Sequence, residues 1–335
     1  MKFGAFLPTF IAEDGPPRPR ALVDYARKAE EAGFDSVWVT DHLLRADRFY
    51  RVPWLEPMAV LKFVAGMTER VMLGTGILIL PLRHPVLLAK EIATLQHLSS
   101  NRFILGIGAG WHDKEFEAIG RSKKVRGTLT DEILDLIQLL LTKNSVTYKG
   151  RHFRLQDVSI EPRVDRPTFW IAGGSQVPRQ ESPEKPELHQ RVLRRILRGD
   201  GWVTRPTALP EQIREDWSQI RPALEQHRGN LDDFVVSHEN FCHVVDTDDH
   251  DEAIGEQRRA YGRVMSGERP FEYFQSVYMT GTSSEIVDRL VARAEAGVRY
   301  FMLHPLVTDP EQLELWWHLI IRPVKERTAG LGWTS

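Results

Sequence analysis

The alternation of short apolar runs with longer stretches of helical period is the feature that most constrains how this chain can fold. Eight runs have the length and composition of buried strands, and helical stretches separate them. Such alternation favours a parallel sheet with helices on its outside. Eight units in 335 residues favour a closed α/β barrel, the (β/α)8 or TIM barrel. The predicted strands are 2–8, 35–42, 70–78, 102–110, 166–175, 199–205, 233–245 and 299–306, and the predicted helices are 19–33, 55–68, 85–99, 128–143, 187–198, 211–227, 283–297 and 309–326, with one more beginning near Asp249.

A doubly wound dinucleotide-binding sheet is the alternative fold, and the positions of the glycines argue against it. That fold carries G-x-G-x-x-G directly after its first strand, whereas "FGAFLPTFIAEDGPP" has no such spacing. The only comparable run, Gly106 to Gly110, follows the fourth predicted strand and is spaced differently. We therefore expect one barrel domain over residues 1–335, with a hairpin inserted at 144–165 and a mobile, Pro- and charge-rich loop at 175–187.

Composition argues against several classes of partner. A net charge of −2 gives no basic excess, so nucleic acid is not an expected partner. Cys242 is the only cysteine, which excludes an intramolecular disulfide and cysteine-based zinc sites. No apolar stretch is long enough to span a membrane, and "MKFGAFLPTF" lacks the pattern of a signal peptide. We expect a cytoplasmic protein with no membrane partner.

The third predicted strand carries two features that a core strand does not need. The segment "GTGILILPLRHP" has glycine at positions 74 and 76, and after Pro81 it meets the polar pair Arg83-His84. Glycine within a strand marks a bulge, or the close approach of a ligand or of another backbone. The residues alone leave these explanations open.

Glycines and polar residues gather at the ends of the predicted strands, where barrels of this kind place their active sites. Glycine pairs follow three of these strands, at 74–76, 108–110 and 173–175. Three unrelated tight turns would explain them, but together they favour a flat ligand lying across the mouth of the barrel. The last of the three turns offers backbone N–H groups and a hydroxyl, which suit a phosphate. The other strand ends carry Thr40-Asp41-His42, Thr204-Arg205, His238-Glu239 and His304-Pro305.

Metal and nucleophile chemistry find little support. No H-x-H follows the first strand, and no H-E-x-x-H lies on a helix. No G-x-S-x-G elbow is present, and Cys242 lies within a strand. We predict no metal site.

The helix at 187–198 has one strongly basic face. Four arginines recur at helical spacing, with apolar residues on the opposite side. This face is either a solvated outer surface or an anchor for an anionic cofactor tail. The four residues are Arg191, Arg194, Arg195 and Arg198.

A long block of the sequence resembles a known family. The stretches "AEEAGFDSVWVTDH", "EPMAVLKFVAGMTERVMLGTGILILPLRHPVLLAKEIATLQHLSSNRFILGIGAGWHDKEFEAIG" and "GDGWV" resemble the bacterial luciferase-like superfamily, most closely in the first 150 or so residues. The resemblance implies a (β/α)8 barrel that binds reduced FMN or the deazaflavin coenzyme F-420 at the C-terminal ends of its strands. It also implies a non-proline cis peptide bond at Gly76–Ile77, in a bulge that supports the cofactor ring.

The same resemblance assigns two sets of residues to the cofactor. The ring is expected against the ends of the third and fourth strands, and the phosphate after the fifth and sixth. The first set is Thr75, Gly76, Ile77, Gly108, Gly110 and Trp111, and the second is Gly173, Gly174, Ser175, Thr204 and Arg205.

The identity of the cofactor depends on the segment Thr40-Asp41-His42, which is similar to the Asp-His pair of many deazaflavin-dependent members. It favours coenzyme F-420 over FMN. Two departures argue against a glucose-6-phosphate activity. Trp111 stands where the sugar-phosphate dehydrogenases of that group have a glutamate, and Glu115 is the nearest carboxylate. Residues 43–45 replace a tryptophan of those enzymes.

Three functions are compatible with this resemblance. The first is hydride transfer between coenzyme F-420 and a small organic substrate, with His42 as acid or base and Asp41 orienting it or capping a helix. The second is an FMNH2-dependent monooxygenase supplied by a separate flavin reductase. The third is a non-catalytic flavin-binding paralogue. The aromatic-rich loops 43–54 and 266–280 suggest a lid over an apolar or aromatic substrate, and the resemblance implies a homodimer through the early helices.

Overall fold

The computed structural model describes residues 1–12, 15–175 and 188–331. Its strands are β1 (Lys2–Phe6), β2 (Ser36–Val39), β3 (Met72–Thr75), β4 (Leu78–Ile79), β5 (Phe103–Gly108), β6 (Val146–Lys149), β7 (Arg154–Val158), β8 (Thr168–Ala172), β9 (Gly201–Thr204), β10 (Val235–Phe241) and β11 (Tyr300–His304). Its helices are α1 (Pro19–Glu31), α2 (Pro57–Ala65), α3 (Pro85–Leu98), α4 (Asp113–Ala118), α5 (Arg126–Thr142), α6 (Gln190–Ile196), α7 (Pro210–Arg228), α8 (His250–Val264), α9 (Phe271–Val277), α10 (Ser283–Glu295), α11 (Glu311–Leu315) and α12 (Arg322–Arg327).

Eight of the strands form a closed parallel barrel. Their order is β1, β2, β3, β5, β8, β9, β10 and β11, and β11 pairs with β1 to complete the ring. The short strand β4 resumes the line of β3 and pairs with β5. Strands β6 and β7 pair only with each other, antiparallel. The predicted (β/α)8 barrel is therefore confirmed.

Aromatic side chains fill the inside of the barrel, and glycines make room for the largest of them. The Trp38 indole is fully buried and lies against β1 and β3 at their glycines. A Cβ atom on Gly4 would lie 2.3 Å from its Nε1, and one on Gly74 would lie 2.2 Å from its Cε3. Trp170 stacks on Trp38 with 5.1 Å between ring centroids. One of the two unexplained glycines of the third strand thus serves packing.

The helices cover the barrel because each keeps an apolar stripe on one face. In α1 this stripe includes Leu22, Ala26 and Ala29, all buried as predicted. Gly33 follows the end of α1 with φ +88°, a left-handed conformation that favours glycine. Among the described helices, none combines the length and apolarity needed to cross a bilayer.

Two short helices, α4 and α9, were not predicted from the sequence. Each has only six or seven residues, too few for a helical period to stand out. Helix α9 occupies part of the segment 266–280 that was expected to be a loop. Of the loop expected at 175–187, residues 176–187 lie outside the described residues.

The basic face of α6 is neither a free surface nor an open anion site. The Arg195 guanidinium bonds the Asp131 carboxylate, and the Arg198 guanidinium bonds the Asp135 carboxylate. Both aspartates lie on α5, so two of the four arginines hold neighbouring helices together.

We expect Gly106→Ala to destabilise the barrel by at least ~2 kcal/mol, the range for overpacking a core. A Cβ atom there would lie 2.0 Å from the backbone oxygen of Thr75, which cannot move without disturbing β3. The matched control is Gly66→Ala, since its Cβ would meet nothing within 4 Å and its φ is −77°. Thermal unfolding of both variants checks this, and equal melting temperatures would contradict it.

Candidate active site

The C-terminal ends of the barrel strands bring the predicted residues together in two groups. The first group lies at the ends of β2, β3 and β5 and comprises Asp41, His42, Thr75, Gly76, Ile77, Gly108, Gly110 and Trp111. The second lies at the ends of β8 and β9 and comprises Gly173, Gly174, Ser175, Thr204 and Arg205.

The end of β3 is a bulge with the bond Gly76–Ile77 in the cis form, as the resemblance implied. The Thr75 hydroxyl donates to the backbone oxygen of Gly106 at 2.9 Å and fixes the bulge against β5. The Ile77 side chain lies over Gly108, where a Cβ atom would lie 1.6 Å from its Cδ1. Gly110 has φ +72°, and a Cβ there would lie 2.6 Å from Ile79. The strand ends therefore carry bare backbone with one apolar side chain laid across it.

Asp41 braces this bulge from below. Its carboxylate accepts from the backbone N–H of Ile79 and from the Arg83 guanidinium, both at 2.8 Å. Burial raises the pKa of the Asp41 carboxyl, while the Arg83 guanidinium opposes the shift. The polar residue Arg83, unexplained in the sequence, thus has a structural partner. In the described part of the chain Asp41 forms no hydrogen bond with His42 and caps no helix.

His42 pairs instead with Glu115. Their side chains meet through Nδ1 and Oε1 at 3.2 Å, and Glu115 is fully buried on α4. The same oxygen accepts from the backbone N–H groups of Leu43 at 2.7 Å and Leu44 at 3.3 Å. Burial alone would raise the pKa of Glu115, but these hydrogen bonds outweigh it and lower the pKa. An ionised Glu115 that accepts from Nδ1 leaves Nε2 of His42 as the atom that accepts or gives up a proton.

Aromatic rings surround the His42 imidazole. Its ring centroid lies 5.5 Å from Tyr50 and 5.6 Å from Trp111. Phe49 meets Trp111 edge to face at 4.7 Å. The predicted residue Trp111 therefore forms one wall beside His42, together with rings from the loop 43–54.

The two aromatic-rich segments predicted as a lid pack against each other. Tyr50 forms a bridge with Met265, and the N–H of Ser266 donates to the Phe49 oxygen at 2.9 Å. The Arg269 guanidinium lies over the rings of Phe49 and Tyr273. A groove of about 570 Å³ opens beside this contact, and Tyr50 lines it. One ring thus faces both the groove and His42.

A second histidine lies at the end of β11. His304 bonds the Thr40 hydroxyl at 2.9 Å and stacks on Phe6 with centroids 4.4 Å apart. Burial lowers the pKa of His304 to about 3, so its imidazole is neutral. It forms an uncharged aromatic part of the mouth.

The second group of predicted residues contains bonds that the sequence did not indicate. The Thr204 hydroxyl meets Nδ1 of the fully buried His238 at 2.6 Å. The N–H of Ser175 donates to the Asp216 carboxylate at 2.9 Å, and the Arg205 guanidinium donates to the Ser175 oxygen at 2.8 Å. Burial raises the pKa of Asp216. The turn expected to receive a phosphate thus already holds a carboxylate of the chain.

Sequence reasoning missed the roles of three carboxyl groups, Glu115, Asp216 and Glu239. Glu115 was noted only as the nearest carboxylate, and its partner His42 is 73 residues away. Glu239 had a readable signal, since it alternates with Ser237 and Phe241 on one face of a barrel strand. Among the described residues no cluster of three or more His, Cys, Asp or Glu is arranged to hold a metal ion.

Comparison with known proteins supports the family resemblance. The curated relatives include an F420-dependent glucose-6-phosphate dehydrogenase of Amycolatopsis mediterranei, 39% identical over 48% of this chain and 49% of the relative. They also include the alkanal monooxygenase alpha chain of Photorhabdus laumondii, 29% identical over 53% of this chain and 47% of the relative. The chain spans about half the length of these two relatives.

A solved structure supports the fold over nearly the whole chain. An F420-dependent secondary alcohol dehydrogenase, solved with an F420-acetone adduct, superposes with a TM-score of 0.79 at 20% identity. The match covers 96% of this chain and 98% of that one. The family model for luciferase-like monooxygenases matches residues 1–182, more than half of the 335 residues, and the chain therefore belongs to that family.

Proposed function

We propose that this protein is an oxidoreductase that transfers hydride between coenzyme F-420 and a small organic alcohol or carbonyl compound. The observation that carries the proposal is the His42–Glu115 pair beside the bulge at Gly76–Ile77. A histidine oriented by an ionised carboxylate is an acid–base device, which alcohol–carbonyl interconversion requires. Relatives and structural neighbours named as F420-dependent support the choice of cofactor.

The residues at the mouth fit a flat ring with a polar tail. Bare backbone at Gly76 and Gly108, with Ile77 laid across it, suits the face of a deazaflavin. Thr75, Gly110 and Trp111 complete this side, and Gly173, Gly174, Ser175, Thr204 and Arg205 remain the proposed residues for the phosphate. A phosphate there must compete with Asp216 for the Ser175 N–H, so the fit is better for the ring than for the tail.

The chain's own groups would manage the proton and exclude water. When bound, the cofactor supplies a ring carbon that takes or gives hydride. Nε2 of His42 takes the proton of the substrate hydroxyl during oxidation and returns it during reduction. Glu115 holds the imidazole in the tautomer that this needs, and Asp41 keeps the bulge in place. The rings of Tyr50, Phe49 and Trp111 shield the site from solvent and favour an apolar or aromatic substrate.

The alternative is an FMNH2-dependent monooxygenase with a separate flavin reductase as partner. The relative named alkanal monooxygenase and the ring-lined mouth favour it, since such chemistry needs a dry site. In either case the single cysteine, buried and free, suits a reducing cytoplasm.

The proposal includes a homodimer through the early helices. Large apolar side chains are exposed on the neighbouring helices α2 and α3, namely Phe63 at 43% and Leu87 at 68% exposure, with Leu98 at 54%. A second copy of the chain would cover them.

Anaerobic titration of the apoprotein with coenzyme F-420, FMN and reduced FMN, followed by ring fluorescence, tests the cofactor. We expect tight binding of F-420 alone, because bare backbone and His42 serve a hydride acceptor without oxygen chemistry. Preference for reduced FMN would instead support the monooxygenase. Binding of F-420 without reduction by any of a panel of alcohols would indicate a non-catalytic paralogue.

Glu115→Gln tests the positioning of His42. We expect kcat to fall roughly 10²–10⁴-fold, the usual contribution of acid–base catalysis, with the affinity for F-420 unchanged. The amide oxygen can still accept from Leu43, so the loop keeps its anchor. Glu117→Gln on the exposed face of α4 is the matched control and should behave as wild type. A change in KM alone would argue that Glu115 only supports the loop.

Leu87→Glu combined with Phe63→Glu tests the dimer. We expect the pair to convert the dimer into a folded monomer, because two charges on the apolar surface oppose its burial. Light scattering after size exclusion measures the mass. Leu209→Glu, at an exposed leucine before α7, is the control and should leave the dimer intact. A wild-type monomer would refute this part of the proposal.

A further inference from the structure

Glu239 is a carboxyl group inside the barrel mouth that the proposed mechanism does not use. It lies on β10 and pairs in register with Met302 of β11. A Cβ atom on Gly76 would lie 3.2 Å from its Oε2 and 2.4 Å from the Phe6 ring. The Glu239 carboxyl therefore reaches from β10 across the interior to the bulge at the end of β3.

Its Oε2 atom is shielded from solvent and has no hydrogen-bond partner within the described ranges. None of the described residues forms an ion pair with Glu239 either. Buried polar atoms without partners are rare in proteins, because each costs about 1–3 kcal/mol relative to hydration. An unpartnered carboxyl oxygen beside bare backbone indicates that the partner is a ligand.

The surroundings of Glu239 keep it uncharged. Burial raises the pKa of its carboxyl to about 8. The groups that face it are the Phe6 ring, backbone at Gly76, and the phenols of Tyr50 and Tyr278, whose pKa values burial also raises. His304 on the neighbouring strand is neutral as well. At neutral pH the mouth thus holds a carboxylic acid whose O–H lacks an acceptor in the protein.

We propose that Glu239 binds the ligand of the barrel mouth as a neutral acid, its O–H donating to a carbonyl-type oxygen of that ligand. The inference rests on the proposed function in one respect, that the ligand is coenzyme F-420 or the substrate held against it. The acceptor is a ring carbonyl in the first case and the substrate oxygen in the second. Glu239 then differs from Glu115 in role, since Glu115 is ionised and acts through His42.

The variants Glu239→Gln and Glu239→Met separate binding from folding. The amide of Gln keeps a donor, whereas Met keeps the volume and removes the polar atoms. The matched control is Glu132→Met, because the buried Glu132 carboxylate accepts from the N–H groups of His152 and Phe153. Melting temperatures of the cofactor-free proteins come first. We expect Glu239→Met to melt above wild type and Glu132→Met to melt below it.

Cofactor affinity and steady-state kinetics locate the acceptor. We expect Glu239→Met to weaken F-420 binding roughly tenfold, the factor that ~1.4 kcal/mol represents, while Glu239→Gln stays near wild type. Unchanged F-420 binding with a tenfold rise in KM places the acceptor on the substrate and equally supports the inference. Wild-type affinity and wild-type kinetics in Glu239→Met would overturn it.

Two readouts need no cofactor. The infrared difference between wild type and Glu239→Gln should show a carboxylic acid carbonyl band at neutral pH that disappears well above pH 8. Wild-type stability should fall as pH rises from about 4.5 to about 8, because the folded state retains a proton that the unfolded chain releases. Glu239→Gln should lose this slope. An absent band or a destabilised Glu239→Met would overturn the inference, whereas wild type that fails to bind F-420 would refute only the proposed function.

Discussion

The contact between the Trp38 indole and the bare backbone of Gly4 and Gly74 underlies the rest of the structure. The indole occupies the space that two Cβ atoms would need, so β1, β2 and β3 close tightly around it. Trp170 stacks on it, and Phe6 extends the same cluster toward Gly76 and His304. Because aromatic rings fill the interior, a ligand must stay at the mouth. The side chains at the strand ends therefore decide what binds.

That mouth contains two carboxyl groups whose environments shift their pKa values in opposite directions. Glu115 accepts from His42 and from backbone N–H groups, which keep it ionised despite complete burial. Glu239 is also shielded but has no such donors, so burial alone acts and keeps it protonated. Pairs of acids separated in this way commonly divide charge-stabilising and proton-donating roles in active sites. Here the ionised member orients a base, and the neutral member is free to bind oxygen.

Much of the fold was predictable from the sequence because its signals are local. The eight strands and most helices follow from apolar period and from residues at their ends, and Gly33 ends α1 as predicted. The helices α4 and α9 were missed because one or two turns carry too little periodicity. The cis bond at Gly76–Ile77 was predicted from the family resemblance and is confirmed; the glycines alone did not distinguish a bulge from close packing. Gly74 proved to serve the packing of Trp38, and Gly76 leaves room for Phe6 and Glu239.

The sequence by itself determined the alternation of strands and helices, the barrel, and which strand ends would carry glycine and histidine, because each depends on neighbours within a few residues. Only the tertiary structure decided the partners at the mouth. It paired His42 with Glu115, Asp41 with Arg83, Ser175 with Asp216 and Thr204 with His238, and it left Glu239 without a partner. These contacts join residues far apart in the chain. They depend on the register at which the barrel closes and on the path of each loop, which no local pattern encodes.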